Sequence, residues 1–221
     1  MKLLSLITAL VTAIDLFAQQ EMVEVKNEPR HHLVFENESV RILNVFVEPG
    51  DTTLYHRHNT PSVFIFLSTT QTGSQLWNGQ PVASPFKAGT IIFDSLKTER
   101  IHRVWNIDTG WLHVMDVEIT AKTPKQKLQN LESGQLSALF KEAMLNGYKL
   151  SLAVKENLQL PNSAEGYLLV SLGDAELTVR SNSNTAVYFM KAGHYVWTST
   201  TDRMQVSNTG NKAAAFALLQ F

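Results

Sequence analysis

The stretch at residues 49–58 reads PGDTTLYHRH. Pro49 and Gly50 predict a turn, and the run rich in Thr, Leu and Tyr that follows them predicts a strand. Side chains two residues apart on a strand lie on the same face, so His56 and His58 are expected to point the same way. A lone pair of this kind is also compatible with two exposed histidines, so the pair needs a third partner to define a site.

A third histidine supplies that partner. His102 lies further along the chain and is followed four residues later by Asn106. Three imidazoles that converge on one point would bind a divalent transition metal. The sequence therefore predicts a metal site formed by His56, His58 and His102, with most of the remaining chain as its scaffold.

A series of short predicted strands surrounds these histidines in the sequence. Alternating or apolar runs recur through residues 21–122, separated by turn signals such as Asn37-Glu38-Ser39, Asn78-Gly79 and Asp108-Thr109-Gly110. No helical periodicity interrupts them. The pattern predicts an antiparallel barrel or jelly roll for this part of the chain.

A different periodicity occupies residues 123–148. Ser133 is a candidate N-cap, and Asn146-Gly147 is a candidate stop signal. The apolar residues at helical spacing between them are Leu136, Leu139, Phe140, Ala143 and Met144. We therefore predict a linker that carries one amphipathic helix packed on a barrel.

Residues 149–221 form a weak repeat of the first strand region. Lys191-Ala192-Gly193 repeats Lys87-Ala88-Gly89, and residues 204–208 repeat residues 102–106 with Met204 at the position of His102. No histidine occurs in residues 150–175 to replace the first two candidate ligands. The second copy is therefore predicted to keep the scaffold and to lack the metal ligands.

These features resemble the cupin superfamily in its two-domain, bicupin arrangement. The first cupin motif, G(X)5HXH(X)3–4E(X)6G, is matched by Gly50, His56 and His58. Its glutamate position falls on Ser62 or Val63, so the acidic ligand of the family is missing here. The resemblance is good over residues 23–120 and looser over residues 150–221.

The second cupin motif, G(X)5PXG(X)2H(X)3N, is matched by Gly89, His102 and Asn106 without the proline and glycine between them. The resemblance implies an all-β fold of two tandem cupin-type double-stranded β-helix (jelly-roll) barrels with a short helical linker. The first barrel would span residues 21–122 and a degenerate second barrel residues 149–221. It further implies that His56, His58 and His102 are the metal ligands, and that Asn106 is a turn or outer-shell residue.

The missing glutamate changes the expected chemistry of the site. Three neutral imidazoles leave a divalent ion without protein negative charge, which preserves its Lewis acidity. Some cupins, the thiol dioxygenases among them, similarly use three histidines for iron. The bound metal could be iron, manganese, nickel or zinc, because the general order of protein affinities for divalent metals does not by itself determine which one a site binds.

Several side chains outside the three-histidine set are further candidates for the site. His113 lies on a predicted strand and stays open as an extra ligand or acid–base group. The pair His31-His32 is expected to be a solvated strand end, and His194 to be structural or exposed. Arg41 and Arg57 are expected at the surface rather than against an anionic substrate.

The amino-terminal residues and the charge balance bear on location and partners. Residues 1–18 combine a basic residue with an apolar run, which predicts a secretory signal peptide; a membrane anchor is the alternative. The chain has no cysteine and a formal net charge of -1, so disulfides are excluded and nucleic acid is not expected as a partner. We predict a periplasmic or secreted protein that binds a small molecule. After removal of the signal peptide it should have no membrane-spanning segment, and it could form a homodimer.

Three functions stay open on the sequence. The first is a metal-dependent enzyme for a small molecule, such as an oxygenase (a dioxygenase) or an isomerase. The second is a non-catalytic small-molecule-binding or sensor bicupin, which the missing glutamate and the ligand-free second barrel favour. The third is a structural protein whose second barrel forms a dimer surface.

Overall fold

The structure, a computed structural model, describes residues 22–123, 128–163, 165–181, 184–198 and 203–221. The predicted signal peptide, residues 1–18, lies outside the described residues. Over the described ranges the chain forms β-strands and one 3-10 turn at Val25–Asn27, with no α-helix. No helix in these ranges is both long and apolar enough to span a bilayer.

The first half of the described chain forms two five-stranded sheets. Its strands are β1 (Met22–Glu24), β2 (His31–Glu36), β3 (Val40–Val47), β4 (Tyr55–His58), β5 (Ser62–Phe66), β6 (Thr72–Leu76), β7 (Val82–Ala83), β8 (Ile91–Asp94), β9 (Arg100–Asn106) and β10 (Leu112–Ile119). Sheet 1 has the order β1-β4-β9-β6-β7, and sheet 2 has the order β2-β3-β10-β5-β8. Neighbouring strands are antiparallel except for the parallel pair β1 and β4.

The second half forms sheets of five and four strands. Its strands are β11 (Leu136–Lys141), β12 (Asn146–Leu152), β13 (Asn157–Leu160), β14 (Tyr167–Ser171), β15 (Ala175–Arg180), β16 (Thr185–Met190), β17 (Tyr195–Thr198), β18 (Met204–Asn208) and β19 (Ala214–Gln220). Sheet 3 has the order β11-β12-β19-β14-β17, and sheet 4 has the order β13-β18-β15-β16. The expected all-β fold of two tandem jelly-roll barrels is confirmed.

The predicted linker helix is wrong. Leu136–Lys141 is an edge strand of sheet 3 that pairs with β12, and a bulge shifts its register between Ala138 and Phe140. The bulge and the turn after it place apolar residues at intervals that imitate a helical repeat. Gly147 is likewise no helix stop, because it lies within β12 and a Cβ there would be only 2.1 Å from the Phe140 ring.

The internal repeat is visible in the backbone. Gly89 and Gly193 have φ angles of +80° and +84°, a conformation that favours glycine. The amide of each glycine donates to the end of a preceding strand, Gly89 to the Phe66 carbonyl and Gly193 to the Ser171 carbonyl. The two barrels therefore share the turn that leads into β8 and β17.

The two barrels pack against each other through sheets 2 and 3. The apolar residues buried in this contact are Val40, Ile42, Val63, Ile65, Leu67, Met115, Val117 and Ile119 from the first barrel and Leu145, Leu168, Val170, Ala217, Leu219 and Phe221 from the second. This continuous apolar layer, which we call the inter-barrel core, makes the two halves one folded unit.

Each barrel also contributes an aromatic side chain that packs against an edge strand of the other barrel. Phe35 of β2 lies 5.4 Å from the Trp197 ring in β17, measured between ring centroids. Phe140 of β11 lies 5.3 Å from the Phe93 ring in β8. A bulge next to Phe35 in β2 corresponds to the bulge next to Phe140 in β11. The crossing contacts are therefore reciprocal.

Candidate metal centre

Two neighbouring strands of sheet 1 carry the three predicted ligands. His56 and His58 lie on β4, and His102 lies directly opposite His56 on the antiparallel strand β9. His58 is two residues from His56, so strand alternation places its side chain on the same face. The local sequence and the strand pairing together bring all three imidazoles to the inner wall of the first barrel.

The imidazole nitrogens lie close enough to share one ion. One candidate ligand nitrogen from each ring lies within 4.8 Å of the other two. The Nε2 atoms of His58 and His102 are 3.1 Å apart. Two imidazole nitrogens bound to the same ion at about 2.0–2.1 Å and at roughly tetrahedral or octahedral angles lie about 3 Å apart, so the donor set fits a transition metal.

The environment keeps these imidazoles neutral. His56 and His58 are each 1% exposed. Burial, reinforced by the neighbouring His31, lowers the pKa of His56 to about 4. Burial and the adjacent histidines also hold the pKa values of His58 and His102 well below the ordinary value. Neutral rings keep the lone pairs that a metal ion requires.

A backbone contact fixes the orientation of His56. Its Nδ1–H donates to the Leu54 carbonyl at 3.0 Å. The carbonyl can only accept, so in the neutral ring the proton lies on Nδ1 and Nε2 keeps its lone pair. Leu54 thus provides the outer contact that a ligating imidazole commonly has.

The three histidines face a cavity between sheets 1 and 2 with a volume of about 570 Å³. The wall opposite the histidines is mainly apolar and includes Phe64, Phe66 and Val114. Arg100, which the sequence analysis did not select, lines the same space and forms an ion pair with Asp94. The cavity can therefore receive a small, largely apolar molecule beside the histidines.

No carboxylate stands at the position of the cupin glutamate. Ser62 occupies it, is 2% exposed and has no hydrogen-bond partner for its hydroxyl. A carboxylate comes instead from the neighbouring strand β10, where an Asp116 oxygen lies 3.8 Å from Nδ1 of His58. Burial, with a smaller contribution from Glu118, raises the pKa of Asp116 to about 8. The sequence analysis missed Asp116 because its place at the site depends on the order of strands in sheet 2.

The prediction that His31-His32 is a solvated strand end is wrong for His31, although His32 is exposed. His31 is 9% exposed, lines the cavity, and its ring centroid lies 4.7 Å from that of His56. Its Nδ1–H donates to Glu28 at 2.7 Å. The carboxylate of Glu28 also accepts from the backbone amides of Arg30 and Leu54, which fixes the position of His31.

The other candidate side chains lie away from the three-histidine cluster. His113 lies on the opposite face of β10 from the cavity, where it contacts Asn44 at 2.8 Å and stacks on Phe46. His194 is exposed. Arg41 and Arg57 form ion pairs with acidic side chains and do not line the cavity.

The second barrel has no comparable centre among its described residues. Met204 pairs with Leu160 across β18 and β13, in the same arrangement as His102 with His56. Both side chains belong to a closed apolar core that includes Tyr148, Leu177 and Phe216. The interior that surrounds a cavity in the first barrel is filled by side chains in the second.

Comparison with solved structures finds similar folds among cupin-type proteins. YhhW from Escherichia coli has a TM-score of 0.59 and 15% identity, covering 86% of this chain and 88% of its own. The cupin 2 conserved barrel domain protein from Leptotrichia buccalis has a TM-score of 0.55 and 11% identity, covering 85% and 86%. Salicylate 1,2-dioxygenase from Pseudoaminobacter salicylatoxidans has a TM-score of 0.59 and 9% identity, covering 83% and 68%.

These likenesses show the fold, which is of the cupin type. No protein-family model matches the sequence, and the search of curated proteins finds no match. The class that fold and site define is a pair of jelly-roll barrels of which the first encloses a three-histidine cluster.

Proposed function

We propose that the first barrel binds a divalent transition metal through His56, His58 and His102 and acts with it on a small molecule, as an oxygenase or isomerase. The observation that carries this proposal is the convergence of three neutral imidazoles on one wall of an apolar cavity. Iron, manganese, nickel and zinc are all compatible with this donor set. The apolar lining of the cavity supports a substrate with an aromatic or similarly apolar part.

The residues of the site have two proposed roles, which are binding of the metal ion and exclusion of water from the substrate. The three histidines hold the ion through nitrogen lone pairs, and Leu54 orients one of them. Phe64, Phe66 and Val114 bind the apolar part of a substrate and exclude water from it. The chemistry that a bound ion supplies here is Lewis acidity and, for iron or manganese, reaction with dioxygen.

Elemental analysis of the purified protein tests the proposal. We expect near-stoichiometric metal in the wild type and none in the His56→Ala/His58→Ala/His102→Ala variant. A matched variant, His32→Ala/His194→Ala, removes two exposed histidines and should keep the metal content. Absence of metal from the wild type, even after reconstitution with each of the four ions, would contradict the proposal.

A non-catalytic binding protein is the second candidate. It is favoured by the cavity itself, because a space of about 570 Å³ accommodates a small ligand without chemistry. Ligand binding that is equally tight in the wild type and the triple-histidine variant would support this candidate. Turnover that follows metal content would exclude it.

We also propose that residues 1–18 direct the protein out of the cytoplasm, to the periplasm or the medium. The supporting observation is the basic and apolar character of that segment. Cell fractionation with amino-terminal sequencing should find a chain shortened near residue 18 outside the cytoplasm. Light scattering on the same sample measures whether the chain forms a homodimer.

A further inference from the structure

Asp116 is a buried carboxylate with an incomplete set of contacts. It lies on β10 and is 1% exposed, and neither of its oxygens has a hydrogen-bond partner within the described residues. The Ser62 hydroxyl is close enough to Asp116 to favour its ionised form, but the pair does not meet hydrogen-bond geometry. An unpaired carboxylate in the interior opposes folding, which points to a role other than packing.

The neighbour of Asp116 is the outer nitrogen of a candidate ligand. An Asp116 oxygen lies 3.8 Å from Nδ1 of His58, and that nitrogen is also buried without a hydrogen-bond partner among the described residues. The other nitrogen of the ring, Nε2, faces His102. The His58 imidazole thus lies between the carboxylate and the place where the three histidines converge.

The adjacent carboxylate on the same strand provides a contrast. Glu118 lies two residues along β10 and is also fully buried. It accepts from Arg41 at 2.7 Å and from Thr60 at 3.1 Å. Glu118 is therefore paired within the fold, whereas Asp116 on the same strand has no such partner and lies next to His58. Asp116 is not part of the group whose ligand atoms lie within 4.8 Å of one another, which argues against direct coordination.

We propose that Asp116 is a positioning residue that accepts a hydrogen bond from Nδ1–H of His58 when Nε2 of the same ring binds the metal ion. The inference rests on the proposed function, since it assumes an ion at the three histidines. A movement of less than about 1 Å brings the pair into hydrogen-bond range. The contact fixes the tautomer of His58 that leaves Nε2 free to bind the ion.

Metal affinity is the first test. Metal-free wild type, Asp116→Asn and Asp116→Leu are titrated with Co²⁺ and with Zn²⁺. We expect the affinity to fall about 10- to 100-fold in Asp116→Leu, and less in Asp116→Asn, whose amide oxygen still accepts a hydrogen bond. Glu118→Gln is the matched control, and we expect it to lower thermal stability without lowering the affinity, because the neutral side chain no longer opposes ionisation of Asp116. Asp116→Leu should raise thermal stability and lower the affinity, because it replaces a buried carboxyl group that has no hydrogen-bond partner with an apolar side chain.

The tautomer of His58 is a second test that needs no metal. Nitrogen-15 NMR of histidine-labelled, metal-free protein, recorded above the raised pKa of Asp116 so that its carboxyl group accepts, should show the Nδ1–H form of His58 in the wild type and a mixture in Asp116→Leu. If the wild type binds metal and both Asp116 variants bind it equally well, the inference is overturned and the proposed function stands. A wild type that binds no metal would overturn the proposed function, and an unchanged tautomer would then overturn the inference independently.

Discussion

Asn106 shows how one buried side chain fixes the geometry next to the candidate centre. Its amide donates to the carbonyls of Val47 and Gly110, and its oxygen accepts from the Asp108 amide. These contacts hold the turn that connects β9, which carries His102, to β10, which carries Asp116. Asn106 therefore acts on the backbone, as the motif resemblance implied, and not on the cavity.

Removal of the Asn106 amide should destabilise the fold and spare the site. Asn106→Ala leaves buried backbone groups unpaired, and we expect the free energy of unfolding to fall by about 1–3 kcal/mol in urea titrations. Asn208→Ala should have a similar effect, because Asn208 donates to Leu152, Ala153 and Lys212 in the second barrel. Loss of metal from a folded Asn106→Ala protein would show that this residue acts on the site after all.

Among the secondary-structure elements, strand β10 connects the candidate centre to the rest of the molecule. Leu112, Val114 and Asp116 face the cavity. Met115, Val117 and Ile119 alternate with them and belong to the inter-barrel core. Because both faces are covered, a change on one face of β10 is transmitted directly to packing on the other.

The segment around the 3-10 turn should give the protein a distinct acid sensitivity. Burial opposes ionisation of Glu28, but hydrogen bonds from His31 and the backbone outweigh it and lower the Glu28 pKa below the ordinary value of 4.5. A lowered pKa stabilises the folded state above the unfolded-state value, and this stabilisation is lost as the pH falls through the folded-state value.

Glu28→Gln should therefore be less stable than the wild type at neutral pH, and the two should converge in strongly acidic solution. Thermal unfolding measured between about pH 7 and pH 3 checks this expectation. The internal control is any measurement below the lowered folded-state pKa of Glu28, where both side chains are uncharged. A stability difference that stays constant across the range would assign the effect to packing and not to charge.

The limits of sequence reasoning are clearest for these same elements. Short-range signals predicted β4, β9 and the face shared by His56 and His58, because strand alternation and turn residues act locally. For the edge strand β11 the sequence wrongly predicts a helix, because the bulge in this strand disrupts that alternation. His31 and Asp116 reach the cavity only through contacts between distant strands, which a single sequence without an alignment does not reveal.

At the scale of the whole molecule, the inter-barrel core should make unfolding cooperative. Leu168 is fully buried in this core on the side of the second barrel. We expect Leu168→Ala to lower the free energy of unfolding by about 2–5 kcal/mol and to shift a single calorimetric transition to lower temperature. Leu139→Ala, at a side chain that is 42% exposed, is the matched control and should resemble the wild type. Two separate transitions, only one of them shifted, would show that the barrels unfold independently.

The reciprocal contacts of Phe35 with Trp197 and of Phe140 with Phe93 have a further consequence. Two identical barrels that met in this way would separate on dilution, whereas here the polypeptide keeps them together at any concentration. The second barrel therefore stays attached to the first, and its described interior is filled with apolar side chains. The expected stoichiometry is accordingly one metal ion for each chain, although each chain contains two barrels.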